Sequence, residues 1–165
     1  MPGRPNRAKK ERDLMPIPEL NDEGLLPCGI HDCTMDEIRE IFGRFMSCDK
    51  RPKLVAKLFQ YVEHVKESAV AKYLIIDGSF VTSKEEPGDI DILMVLDEST
   101  DFANGIVVPP FVYNAQAKKY VKKEYGFDFF VGFENDDSSI RMIDHFKRVK
   151  EKPGAEKGIL RLVIK

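Results

Sequence analysis

The spacing of hydrophobic and polar positions changes several times along the chain. Residues 73–77 and 89–96 form two apolar runs rich in branched side chains and bounded by Gly, Pro and charge, which predicts β-strands. Residues 127–133 predict a third strand, and the alternating segment 159–164 a fourth, expected at a sheet edge. Elsewhere the spacing is helical. Thr34 and Glu37 have capping-box spacing, so a short helix should follow with Ile38, Ile41 and Phe42 inward and Gly43 at its end. A longer helix is expected from near Pro52, with Leu54, Val55, Leu58, Phe59, Val62 and Val65 on one face. Residues 114–125 predict a helix with Ala115, Ala117 and Val121 facing in, a lysine-rich outer face and Gly126 as its stop. A last helix, capped by Ser138 or Ser139, should run through Ile140, Ile143 and Phe146. Residues 97–108 read as a loop, Pro109-Pro110 as a break, and Pro153-Gly154 as a turn.

This alternation of strands and helices predicts an α/β fold. The chain has 165 residues, enough for a single core, and residues 14–165 are expected to form one domain behind a disordered basic tail at residues 1–13. Leu25, Leu26 and Ile30 should pin the irregular segment after Pro16-Ile17-Pro18 onto it. A net charge of -2 excludes a protein that coats nucleic acid through bulk charge, although a local basic patch is compatible with it. No apolar stretch has the length of a membrane span, and the basic N-terminus lacks the apolar core of a signal peptide, so the expected compartment is the cytoplasm. Three cysteines do not make a disulfide framework.

The chemistry gathers between the first two strands. Gly78 lacks a Cβ, so backbone there can approach a phosphate closely, and Ser79 adds a hydroxyl where a short helix would begin. Asp89 and Asp91, two residues apart at the start of a strand, should point to the same side. Two carboxylates so placed on an apolar strand are costly unless a cation lies between them, and they are the hard oxygen ligands that Mg²⁺ or Mn²⁺ takes.

Gly78-Ser79, a nine-residue spacer and Asp89-Ile90-Asp91 resemble the signature of the polymerase-β-type nucleotidyltransferase superfamily. The resemblance implies a mixed β-sheet with helices packed mainly on one face. It also implies a third carboxylate on a neighbouring strand, for which Asp128, within Gly126-Phe127-Asp128-Phe129-Phe130-Val131, is the candidate. Asp89, Asp91 and Asp128 would then be the catalytic metal ligands, and Gly78, Ser79 and Lys84 would hold an NTP, taken as ATP. Through the segments IPELNDEGLLPCGIH (17–31) and KGILRLVI (157–164) the chain also resembles small bacterial proteins of this fold, and some minimal members of the superfamily act as antitoxins. This implies transfer of a nucleoside monophosphate to a toxin-like protein partner or to RNA, with the acceptor bringing its own binding surface. Two positions depart from the pattern. Phe80, Val81 and Thr82 stand where a basic residue commonly follows Gly-Ser, which leaves Lys84 as the first cation, and Gly88 stands where Ser is common.

The alternative from another class is a non-catalytic module of the same fold that neutralises a protein partner by docking. A plain metal-dependent phosphohydrolase has no use for Gly-Ser before Asp-x-Asp at this spacing. Cys28, His31 and Cys33 lie close together but match no common zinc spacing and have no evident fourth ligand. The Lys118, Lys119, Lys122 and Lys123 group reads as a solvated helix face, and Asp136-Asp137 before Ser138-Ser139 as a turn and cap.

Overall fold

The structure, a computed structural model, describes residues 17–68, 70–97 and 117–164. Its strands β1 (Ile30–Cys33), β2 (Ala71–Asp77), β3 (Asp91–Leu96), β4 (Asp128–Phe133) and β5 (Ile159–Val163) form one mixed sheet in the order β1-β5-β2-β3-β4. The central strand β2 is antiparallel to β3 and β5, while the outer pairs β1–β5 and β3–β4 are parallel. The α/β expectation is thus met. Two strand assignments differ from the sequence reading. β5 lies inside the sheet because β1 covers its outer side. β1 reads Ile-His-Asp-Cys, too short and too polar to carry a periodic signal.

The helices are α1 (Met35–Phe42), α2 (Lys50–Ser68), α3 (Lys118–Tyr125) and α4 (Asp137–Lys147). The first three cover one face of the sheet, burying Leu74, Ile76, Ile92, Met94, Phe129, Leu160 and Leu162 beneath Ile38, Phe42, Leu58, Val62, Val65 and Val121. The other face packs Ile75, Leu93, Val95 and Ile159 against Phe146 of α4. β2 and β3 are buried on both faces, which explains why their sequences are continuously apolar rather than alternating.

Local signals account for three of the helix ends. The Thr34 hydroxyl accepts the Glu37 N–H at 3.2 Å, and the Glu37 carboxylate accepts the Thr34 N–H at 2.7 Å. Gly43 closes α1, and Gly126 closes α3 in the left-handed conformation, its N–H donating to Lys122 O at 2.9 Å. Asp136, not a serine, is the N-cap residue of α4. On α2 the stripe turns slightly from expectation: Phe59 is exposed, and Tyr61 is buried against Tyr125, Phe127 and Phe129. Ile41 and Ile140 are likewise exposed, and Ile17, not Ile30, joins Leu26 in the core. The expected tail at 1–13, the loop from residue 98, Pro109-Pro110 and Ala115 lie outside the described residues. Among the described residues no helix is long and apolar enough to cross a membrane.

Candidate functional site

Strand register builds the site. Ile75 pairs with Leu93 and Leu93 with Phe130, forming an apolar row across β2, β3 and β4 on the face covered by α4. Two residues along each strand the pairing repeats as Asp77–Asp91 and Asp91–Asp128. Side chains two apart share a face, so three carboxylates stand in line at the end of that apolar row. Asp89 precedes the strand rather than lying on it, but lines the same cavity. The cavity, about 450 Å³, is also lined by Gly78, Ser79, Thr82, Phe130, Phe146, Arg148, Lys150 and Lys157.

The turn after β2 shapes the near wall. Gly78 has φ +95°, and a Cβ there would lie 3.2 Å from Asp91 Oδ2 and 3.1 Å from the Asp89 carbonyl oxygen. Only glycine accepts both the dihedral and the approach. Ser79 Oγ accepts the Gly88 N–H at 3.2 Å, tying the two ends of the connection together. The expected short helix is a single 3₁₀ turn, Ser79–Val81. Such a turn supplies almost no macrodipole.

Arg51, at the start of α2, holds this turn from behind. Its buried guanidinium donates to the carbonyls of Phe42 and Phe80 at 3.0 and 2.8 Å, and to those of Thr82 and Lys84 at 2.6 and 2.5 Å. Lys84 is therefore anchored through its backbone; its residue is exposed and does not line the cavity.

Charges in the site are unevenly compensated. Lys122 of α3 donates to Asp128 Oδ1 at 3.0 Å and to Asp89 Oδ2 at 3.3 Å. The Lys122 hydrogen bond holds the Asp128 carboxyl below its usual range. Lys157 pairs with Asp77. Burial nevertheless pushes the Asp77 carboxyl up, against the pull of that ammonium. Asp91 has no ion-pair partner among the described residues and a carboxylate on either side. Its carboxyl is pushed up first by burial, then by Asp77 and Asp128.

Five of the six residues expected at the site, Gly78, Ser79, Asp89, Asp91 and Asp128, are thus brought together, and Lys84 is not. Asp77, Lys122, Lys157 and Arg51 did not stand out in the sequence. Asp77 was open to detection, since it lies two residues beyond Ile75 at the end of the same strand and directly before Gly78. Arg51 looks like an ordinary helix-start cation until the fold buries it. The cysteines and histidine near the N-terminus have separate partners: Cys28 Sγ donates to Glu156 O at 3.3 Å, and His31 Nε2–H to Pro27 O at 2.6 Å. Cys33 is buried, and burial pushes its thiol up to about 12.

The donor set fits a hard divalent cation. Asp89, Asp91 and Asp128 offer carboxylate oxygens on one wall, and Asp91 has no ion-pair partner among the described residues. Among the described residues no three potential ligands are already drawn in around a single point, and the Lys122 ammonium stands between two of them. No curated protein and no solved structure matches the chain. Residues 18–163 match a family of unknown function, DUF6932, and the chain belongs to that family.

Proposed function

We propose that this protein is a Mg²⁺-dependent nucleotidyltransferase that moves a nucleoside monophosphate from an NTP, ATP in the first instance, to a partner protein or an RNA end. The observation that carries the reading is the row Asp77–Asp91–Asp128 opening, with Asp89, into the cavity that also holds Gly78 and Ser79. A divalent cation bound by Asp89, Asp91 and Asp128 would supply charge neutralisation at the α-phosphate and a lowered pKa for the attacking hydroxyl. The chain's own residues position the reactants. Gly78 lets the Asp89–Asp91 segment come close to the turn, Ser79 offers its hydroxyl, and Arg51 fixes the turn that carries both. The acceptor hydroxyl oxygen bonds to the α-phosphorus, pyrophosphate leaves with the electrons of the bridging bond, and a site carboxylate takes the hydroxyl proton. Resemblance to minimal bacterial nucleotidyltransferases supports a toxin-like acceptor and an antitoxin role.

The test is incubation with each α-labelled NTP, Mg²⁺ and a host lysate, with Asp91→Asn alongside. Label on one protein or RNA band, absent with Asp91→Asn, supports transfer. A second reading, a non-catalytic module that neutralises a partner by docking, draws on one observation: the Lys122 ammonium already balances Asp89 and Asp128 from within the chain. Binding of a partner with no label transferred for any NTP favours that reading.

A further inference from the structure

We infer that the loop between α4 and β5, through Arg148 and Lys150, holds the polyphosphate end of the ligand in this cavity; the inference rests on the nucleotide reading above. The turn after Ser79 is too short for a helix dipole, carries no cation before Lys84, and leaves Lys84 outside the cavity. Positive charge reaches the cavity from elsewhere. Arg148, Lys150 and Lys157 line it together with the carboxylates, alongside His145 and Glu151.

This loop is a built structure. The Val149 N–H donates to Ala155 O at 3.1 Å, the Lys157 N–H donates to Lys147 O at 2.7 Å, and Arg148 forms a β-bridge with Glu156. Lys157 is committed to Asp77. Arg148 and Lys150 have no carboxylate within ion-pair distance among the described residues. Lys150 lines the same cavity as Asp77 and Asp91, opposite in charge to the acidic row. A ligand that satisfies both walls must present a cation to the carboxylates and several anionic oxygens to Arg148 and Lys150. A metal–polyphosphate does both, and a cavity of about 450 Å³ is of ligand size. Arg148 suits a pair of phosphate oxygens through its planar fork, whereas Lys150 acts as a point charge.

The experiment is calorimetric titration of Mg²⁺–tripolyphosphate and, separately, of Mn²⁺ alone into wild type, Arg148→Ala/Lys150→Ala, Arg148→Gln/Lys150→Gln and Lys84→Ala. Both loop residues are exposed, so the folded state should persist, and the glutamine pair guards against loss of packing by the long stems. Both loop variants should bind tripolyphosphate about tenfold or more weakly while keeping their Mn²⁺ affinity, and Lys84→Ala should match wild type. Loop variants that bind tripolyphosphate like wild type overturn the inference alone, as does a loss confined to Lys84→Ala. Wild type that binds neither Mn²⁺ nor tripolyphosphate overturns both the inference and the nucleotidyltransferase reading.

Discussion

The Lys122 ammonium lies 3.0 Å from Asp128 Oδ1, so a helix on one face of the sheet supplies a counter-ion to a strand-end carboxylate that opens toward the other. Its second contact, 3.3 Å to Asp89 Oδ2, makes it a bridge between two proposed metal ligands. An ammonium and a divalent cation compete for the same oxygens. Lys122→Met should therefore bind Mn²⁺ more tightly than wild type, by several-fold. In EDTA it should be less stable by no more than about 1 kcal/mol, because all three groups are near half-exposed. Mn²⁺ titration and thermal melts read the two effects. Unchanged or weaker Mn²⁺ binding would mean that Lys122 does not occupy the cation's place.

Asp91 is in the opposite position, with carboxylates on both sides and no ion-paired ammonium among the described residues. Neighbouring side chains on adjacent strands lie about 5 Å apart. Two unit charges at that distance and an effective dielectric of about 20 repel by about 3 kcal/mol. Water in the open cavity reduces this, so Asp91→Asn should stabilise the metal-free protein by about 1 kcal/mol. It should also lose most of the Mg²⁺-induced rise in Tm. Asp89→Asn should gain less in EDTA, since Lys122 already relieves Asp89. Thermal melts in EDTA and in excess Mg²⁺ decide between this and a structural role, in which Asp91→Asn melts lower in both.

The same crowding fixes a pH dependence. The Asp91 and Asp77 carboxyls are raised in the folded state, so between the ordinary carboxylate value and their raised values the native protein holds more protons than the unfolded chain. Their contribution to stability is complete below the ordinary value and is lost as pH rises through the raised values. Asp32, held low by its hydrogen bond from Arg161, works with the opposite sign: its contribution is present above the ordinary value and lost on acidification. In EDTA, wild type should thus lose stability relative to Asp91→Asn as pH rises out of the acidic range. The Mg²⁺-induced rise should disappear on acidification at a pH above the ordinary carboxylate value. Melts across a pH series with and without Mg²⁺ are the check, and coincident curves for wild type and Asp91→Asn would remove Asp91 from the account.

Arg51 ties α1, α2 and the turn after Ser79 into one unit. Replacing it with Met keeps the stem but leaves buried carbonyls without donors, which should cost about 3 kcal/mol or more. Arg51→Lys should recover only part of this, since one ammonium cannot span carbonyls from four residues. Urea denaturation measures both, and a Met variant within about 0.5 kcal/mol of wild type would show that water replaces the guanidinium.

Residues whose role depends on local spacing were legible in the sequence. The two-residue period placed Asp91 on one face, the capping box placed the start of α1, and the apolar flanks of Asp128 identified its strand. What escaped depends on contacts between distant segments. β1 is a strand only because β5 pairs with it, and Lys122 belongs to the site only because α3 ends at Gly126 beside β4. On a helix with four lysines, spacing alone cannot say which one meets an acid. Asp77 falls between the two cases: its period was readable, but the register that sets it beside Asp91 required the antiparallel pairing of β2 with β3.

That pairing makes Gly78 the most constrained position of the site. At φ +95° a residue with a Cβ is strained by about 1–3 kcal/mol. The added atom would also press on Asp91 Oδ2, Asp91 N and the Asp89 carbonyl oxygen at 3.1 to 3.3 Å. Gly78→Ala should therefore both destabilise the fold and displace a proposed metal ligand. Gly88, at the other end of the connection, is the control: a Cβ there meets nothing within 4 Å, and its N–H to Ser79 Oγ survives the change. Gly88→Ala should keep wild-type stability and Mn²⁺ affinity. Gly78→Ala should lose stability in urea and, at denaturant-free concentrations where it is still folded, bind Mn²⁺ several-fold more weakly. If Gly78→Ala loses stability but keeps full Mn²⁺ affinity, the glycine serves the turn alone and the close approach to Asp91 has no part in cation binding.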